Sequence, residues 1–316
     1  MARDEAQSSG VKAGVTVVIP TLNRPALCAA AIRSVLEQTG VVCRILVSEN
    51  CSDPQYAEPY AQLLQSLPAQ AQALRQSPRM SVEVHFPFLL DQVDTEYVVL
   101  LADDDVLHPS FVARALAHAQ TTQAGAVFGP YCSQQQAGAA VQSRDFDYTA
   151  ESVFLRALRF LCNRNDAFIY GLFRTDVLRA GMVNFQPLQI LGRRTLIRIA
   201  YAPLLACLLA APYGHLPGEA VWINTADSAK SEAYLAQNRI RKLVELVLGE
   251  WVLAARFIRI VRRARGVGMT LALAPVVATM AAWHCVAFIL LALRRGSAAI
   301  LARLRHLARL QRPSAK

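Results

Sequence analysis

Two β-branched runs enclosing one helix, all within the first 53 residues, constrain this chain more than any other feature. Val15–Ile19 is a short apolar run ending at Pro20, as a strand buried on both faces would. Asn23 and Pro25 supply a helix N-cap and a first-turn proline. The helix runs to about Gln38, with Leu27, Cys28, Ala31, Ile32, Val35 and Leu36 on one side and Gly40 as a stop. A second strand, about Cys43–Val47, leads into the polar turn Ser48-Glu49-Asn50-Cys51-Ser52-Asp53. Such a β–α–β unit demands a parallel sheet with a right-handed crossover. The alternation continues: strand at Tyr97–Leu101, helix from Pro109 to about Gln120, strand at Ala126–Phe128, helix at Ser152–Leu161, strand at Ala167–Phe173. Pro54–Pro78 reads as helix plus loop, and Leu204–Ala211, short and bounded by prolines, as a buried helix.

The run Tyr97–Leu101 leads almost directly into Asp103-Asp104-Asp105. Three adjacent carboxylates at the end of a buried strand repel one another, so something positive must compensate them. Ligands of open α/β sheets bind outside those strand ends. Mg²⁺ and Mn²⁺ prefer oxygen ligands and bridge one or two carboxylates to substrate phosphates. The alternative is a solvated acidic turn that caps the next helix.

The formal net charge of +10 suggests nucleic acid until its distribution is read. Twelve of the 33 Lys and Arg residues, and none of the 23 Asp and Glu, lie between Trp251 and Lys316. The body is therefore close to charge balance, and no nucleic-acid partner is expected. From Arg239 the pattern becomes a helical stripe, with Ile240, Leu243, Val247, Trp251, Ala254, Ile258 and Val261 at spacings of three or four. Met269–Leu293 then holds no charged residue, which is long enough to cross a bilayer core of ~30 Å. Arginines flank both of its ends and Pro275 lies inside it, so a re-entrant or surface-lying helix is the alternative to a single span. Leu301, Leu304, Leu307 and Leu310 alternate with arginines, as in a basic helix on a membrane surface. Membrane lipid is thus an expected partner. From the seven scattered cysteines and the absence of an apolar run at the N-terminus, the body is expected in the cytoplasm.

Three segments in order, Val17-Val18-Ile19-Pro20-Thr21-Leu22-Asn23-Arg24-Pro25, Val47-Ser48-Glu49-Asn50-Cys51-Ser52-Asp53 and Leu100-Leu101-Ala102-Asp103-Asp104-Asp105, strongly resemble the family 2 glycosyltransferases. Their spacing fits too, with roughly 30 residues from the first strand to the second turn and roughly 50 more to the aspartates. Gly171–Leu178 is similar to the family's acceptor-side strand and following helix. The resemblance implies a GT-A fold, a Rossmann-like α/β sheet, here with C-terminal membrane-associated helices. It implies a nucleotide-sugar donor, a UDP-sugar favoured, held by Pro20, Thr21, Asn23, Arg24, Glu49, Asn50, Asp103 and Asp104. Mn²⁺ or Mg²⁺ would be bound by Asp105 and Asp103. The reaction would be inverting transfer to a hydroxyl of a lipid-linked or glycan acceptor.

Two departures from the family pattern matter. Many relatives carry an aspartate where Ala102 stands. The usual Glu-Asp pair after the acceptor strand is also missing, since no acidic residue lies between Asp176 and Glu219, and Asp166 is the nearest substitute for a base. Gln189 and Arg193 only loosely echo the Gln-x-x-Arg-Trp motif of processive relatives, which disfavours a polymerase. A catalytically inactive nucleotide-binding scaffold is the rival reading. The expected organisation is a disordered N-terminus at 1–13, a GT-A domain at 14–225, a basic amphipathic linker at 226–268, a hydrophobic membrane segment at 269–293 and a basic amphipathic tail at 294–316.

Overall fold

The computed structural model describes residues 12–134, 142–224 and 239–310. Of the expected disordered N-terminus, residues 1–11 lie outside the described residues, whereas Lys12 and Ala13 already belong to the first strand.

The opening β–α–β unit forms β1 (Lys12–Thr21), α1 (Pro25–Leu36) and β2 (Arg44–Glu49), with β1 and β2 paired in parallel from Thr16↔Arg44 to Thr21↔Glu49. A one-turn 3₁₀ segment (Pro54–Tyr56) precedes α2 (Ala57–Gln65) and β3 (Ala71–Arg75). The stretch expected as helix plus loop therefore adds a parallel edge strand beside β2. Next come α3 (Val82–Asp91), β4 (Thr95–Leu100), β5 (Val106–Leu107), α4 (Phe111–Thr122), β6 (Ala126–Phe128), β7 (Tyr131–Gln134), β8 (Gln142–Arg144) and α5 (Val153–Cys162).

The expected strand Ala167–Phe173 is corrected. Asp166–Tyr170 is a 3₁₀ turn, and only Leu172–Arg174 is strand (β9). Asn165 accepts a hydrogen bond from the Ala167 amide at 2.9 Å and so starts the 3₁₀ turn in place of an extended chain. α6 (Thr175–Met182), β10 (Leu188–Ile190), β11 (Arg193–Thr195), α7 (Tyr201–Ala210), β12 (Tyr213–His215) and β13 (Val221–Asn224) complete the body.

The central sheet has the order β12-β6-β9-β4-β1-β2-β3. Only β9 runs antiparallel to its neighbours. β1 and β4 lie at its middle, and Val17, Val18, Ile19, Val98, Val99 and Leu100 are buried from both faces. That double burial produces the unbroken apolar runs in the sequence. A smaller sheet, β5-β13-β7-β8, and the β10-β11 hairpin stand apart from it.

The last described element is α8 (Arg239–Leu310), broken at Gly266, whose φ of 77° and ψ of −170° lie outside the helical region. Its two arms fold back on each other. His284 Nδ1 lies 3.6 Å from Glu250 Oε2, although 34 helical residues would separate them by about 50 Å in a straight rod. Cys285 Sγ reaches the Val247 carbonyl oxygen at 3.5 Å. The first arm, read from sequence as a linker, packs Leu253, Phe257, Ile260 and Val261 into the core of the body. The second arm buries Leu273, Val277, Ala281 and Cys285, one residue per turn. By length and composition, 243–290 could cross a membrane: its most apolar stretch has a mean hydropathy of 1.9, and only 22% of that stretch is buried within the protein.

A buried ionic cluster joins the hairpin to the body. Glu250, 1% exposed, receives Arg164 Nη2 at 2.9 Å and pairs with Arg198 as well as facing His284. Burial works against the Glu250 charge, yet His284, Arg164 and Arg198 outweigh it and hold the carboxyl below its ordinary range. The Arg164 guanidinium also lies 5.5 Å from the Tyr201 ring and 5.8 Å from the Phe257 ring.

Candidate active site

The C-terminal ends of β1, β2 and β4 open at one edge of the sheet, and the polar residues singled out from sequence collect there. β4 ends at Leu100, so the chain turns and sets Asp103 beside the end of β1. Thr21 Oγ1 donates to Asp103 Oδ2 at 2.7 Å, and the Leu22 amide reaches the same oxygen at 3.4 Å. The Tyr60 hydroxyl lies 2.5 Å from Thr21 Oγ1 and accepts from the Arg24 amide at 3.1 Å. Arg24 Nη2 meets Asp103 Oδ1 at 2.5 Å while Nη1 pairs with Asp104.

Arg24 is thus a positive group that compensates two of the three adjacent aspartates. Burial alone would weaken its charge, but Asp103 and Asp104 outweigh it and raise its pKa. The carboxyl of Asp103 is pushed up by burial in spite of Arg24 and Thr21. A buried carboxylate still short of positive charge favours a further cation nearby.

The β2 turn builds a second group. Asn23, at a left-handed φ of 60°, exchanges hydrogen bonds with Asp53: Nδ2 donates to Oδ2 at 2.7 Å, and the Asp53 amide donates to Oδ1 at 2.8 Å. Because of that conformation Arg24, not Asn23, is the N-cap of α1. Glu49 is 4% exposed; its Oε1 accepts from the Ser52 amide at 2.5 Å, and its Oε2 lies 3.6 Å from Arg75. Asn50 donates its amide to the Thr21 carbonyl at 3.0 Å, tying this turn to β1, while its side chain holds the Met80 backbone at 2.9 and 2.8 Å. Pro20 sits half-buried in the ladder opposite Ser48. Thr21 and Arg24 therefore both contact Asp103, and Arg24 also pairs with Asp104, whereas Asn23, Glu49 and Asn50 shape the neighbouring turn.

Asp105 is 2% exposed, and the Tyr170 hydroxyl hydrogen-bonds to it. Burial first, and Asp105 second, push the Tyr170 hydroxyl well up, so it stays protonated and donates. Tyr170 ends the 3₁₀ turn that Asp166 begins; Asp166 is exposed. Among the described residues no three His, Cys, Asp or Glu side chains are arranged to enclose a metal by themselves. Mg²⁺ and Mn²⁺ do not need such a cage, because substrate phosphates and waters complete their shell. Asp103 and Asp105 are the two buried carboxylates of the turn that could supply such ligands, and the oxygens of Asp103 also serve Arg24, Thr21 and Leu22.

Tyr60, Tyr170 and Arg75 were not singled out from the sequence. Each is a single residue without periodic partners, and nothing local marks it.

The model of glycosyl transferase family 2 matches residues 16–177, just over half of the chain and the part that carries every group above. No curated relative matches the chain. Among solved structures, S. aureus TarS 1-349 in complex with UDP-GlcNAc is similar over 80% of this chain and 67% of that one, with a TM-score of 0.57 at 15% identity. The mannosyltransferase PcManGT from Pyrobaculum calidifontis, in complex with GDP-Man and Mn²⁺, is similar over 98% and 84%, with a TM-score of 0.53 at 14% identity. At such identities the likeness speaks for the fold, which is GT-A. With the family match covering the strand ends where the site is built, the chain belongs to glycosyl transferase family 2 and is a glycosyltransferase.

Proposed function

We propose that the protein transfers one sugar, with inversion, from a nucleotide-sugar donor to a hydroxyl of a lipid-linked or glycan acceptor. The transfer would take place at a membrane, with the catalytic body cytoplasmic and a UDP-sugar the favoured donor. The observation that carries this reading is the contact of Thr21, Arg24, Asp103 and Asp104 at the ends of β1 and β4, with Asp105 beside them. That is where an open α/β sheet receives its ligand. The complexes of the two structural neighbours, with UDP-GlcNAc and with GDP-Man and Mn²⁺, support the same class of donor.

In this reading Thr21, Asn23 and Arg24 line the nucleotide pocket with Pro20, and Glu49 and Asn50 set the shape of its far wall. Arg24 pairs with Asp103 and Asp104 and so offsets negative charge next to the diphosphate. A Mn²⁺ or Mg²⁺ ion held by Asp105, with Asp103 nearby, would stabilise the charge that grows on the departing diphosphate. Tyr170 orients Asp105. Asp166, exposed at the start of the same 3₁₀ turn, takes the proton from the acceptor hydroxyl.

The test is incorporation of label from a panel of radioactive nucleotide sugars into lipid extracts and glycans, using membranes from cells that express the full chain. Incorporation from one donor that requires divalent metal and Asp105 is the expected result. Donor binding without incorporation into any fraction would favour the inactive scaffold instead.

A further inference from the structure

We propose that the α8 hairpin lies in the plane of an anionic phospholipid bilayer, bound through its outer face, and that its apolar arm does not cross. This rests on the membrane reading above and specifies the form of attachment.

The case starts from what holds the apolar arm in place. A span would set the middle of 269–293 about 15 Å from either surface of the hydrocarbon core. That middle contains His284, which touches both Arg164 and Glu250, and the pair Arg164–Glu250 is itself buried in the body. Crossing would either tear His284, Leu273, Val277 and Ala281 from the body or carry Glu250, Arg164 and Arg198 into hydrocarbon. The first exposes the buried charge cluster; the second is costly for each ion. The left-handed Gly266 turns the second arm back along the first.

The outer face has the composition that an interfacial helix pair needs. Val244, Leu248 and Trp251 on the first arm are 37–47% exposed. Level with them, as the contacts of Glu250 with His284 and of Val247 with Cys285 require, the second arm exposes Trp283 (65%), Val286 (49%) and Leu290 (52%). A contiguous apolar face of this kind is costly in water and marks an interaction surface.

Charge identifies the occupant. Arg259, Arg262, Arg263 and Arg265 are exposed on the same arm, about two to four turns after Trp251, and no acidic residue follows Glu250 in the chain. Arg256, Arg259 and Arg263 line a groove of about 210 Å³ with Asn184 and Gln186, a polar, cationic recess of headgroup size. Arg256 is fixed there by the carbonyls of Gln186 and Pro187. Cations beside exposed aromatic and aliphatic side chains match the phosphates and the acyl boundary of an anionic leaflet. A second copy of the chain would bring the same arginines against one another.

The full chain is tested with vesicles of phosphatidylcholine alone and of equal parts phosphatidylcholine and phosphatidylglycerol. Binding is expected to the second far more than to the first. Arg259→Gln with Arg263→Gln should weaken it about thirtyfold, at about 1 kcal/mol per basic residue near the surface. Val286→Asp, at an exposed position that leaves the core intact, should also release the protein while sparing nucleotide-sugar binding. With Trp222→Phe and Trp251→Phe, Trp283 becomes the only tryptophan. Its fluorescence should then be quenched best by lipids brominated at the headgroup end of the acyl chain. Strongest quenching by lipids brominated at the chain terminus would show a span and overturn the in-plane form while leaving membrane attachment intact. No vesicle binding, with reversible self-association instead, would mean that a second copy covers this face and would overturn the membrane reading as well.

Discussion

Asp105 and Tyr170 are the residues at which the account is most exposed to a single substitution. Asp105→Asn should keep the fold and lose metal-dependent donor binding, since a neutral amide is a poor ligand for a hard cation. Titration of Mn²⁺ in the presence of donor reads this directly. Tyr170→Phe removes only the hydroxyl that orients Asp105, and should lower Mn²⁺ affinity about 10–100-fold in the same titration. Asp166→Asn should cut turnover about 10²–10⁴-fold with donor affinity unchanged, measured as kcat against donor Kd. Full activity in that variant would place the base elsewhere. The aspartates were legible in the sequence because three carboxylates after an apolar run are rare and chemically demanding. Tyr60, which orders Thr21 and Arg24, was not legible, because a lone aromatic in a Gln- and Ala-rich stretch has no period to betray its burial.

Among the elements, strands buried on both faces were readable, down to the three residues of Ala126–Phe128, and most other short ones were not. β1, β2 and β4 are continuous apolar runs, whereas β5 and β9 to β13 have two to four residues each, too few to show alternation. The hairpin of α8 was hidden for another reason. A helix that buries one face on protein and presents an apolar face outward has no polar side, so its sequence matches that of a membrane span. Glu250 decides between the two, and only its partners in space reveal it. Glu250→Ala would leave Arg164 and Arg198 buried without a counter-ion and should destabilise the protein by about 3–5 kcal/mol, read from denaturant unfolding. Because the folded pKa of Glu250 is lowered, its contribution is fully present above the unfolded carboxyl value of about 4.3. It is lost as pH falls from there through the folded value. Unfolding midpoints of wild type should fall over that acidic window more steeply than those of Glu250→Gln. Gly266→Ala forces a side chain into a left-handed φ and should cost about 1 kcal/mol in the same measurement.

For the molecule as a whole, one sheet edge gathers the candidate site residues, and the 3₁₀ turn links them to the hairpin. Within nine residues, Cys162 to Tyr170, the chain ends α5, places Arg164 on Glu250, exposes Asp166 and brings Tyr170 to Asp105. The family, the sheet and the place of the aspartates followed from three motifs in register. The meeting of the hairpin with the Asp166 turn required coordinates, because it joins residues 86 and more positions apart. The central claim is that the ends of β1 and β4 bind a nucleotide sugar together with a divalent cation. Calorimetric titration of the full chain with a panel of nucleotide sugars, with and without Mn²⁺, tests it most directly. Saturable binding of one donor that needs Mn²⁺ and vanishes in Asp105→Asn is the predicted result. Binding that is indifferent both to the metal and to Asp105 would contradict the claim.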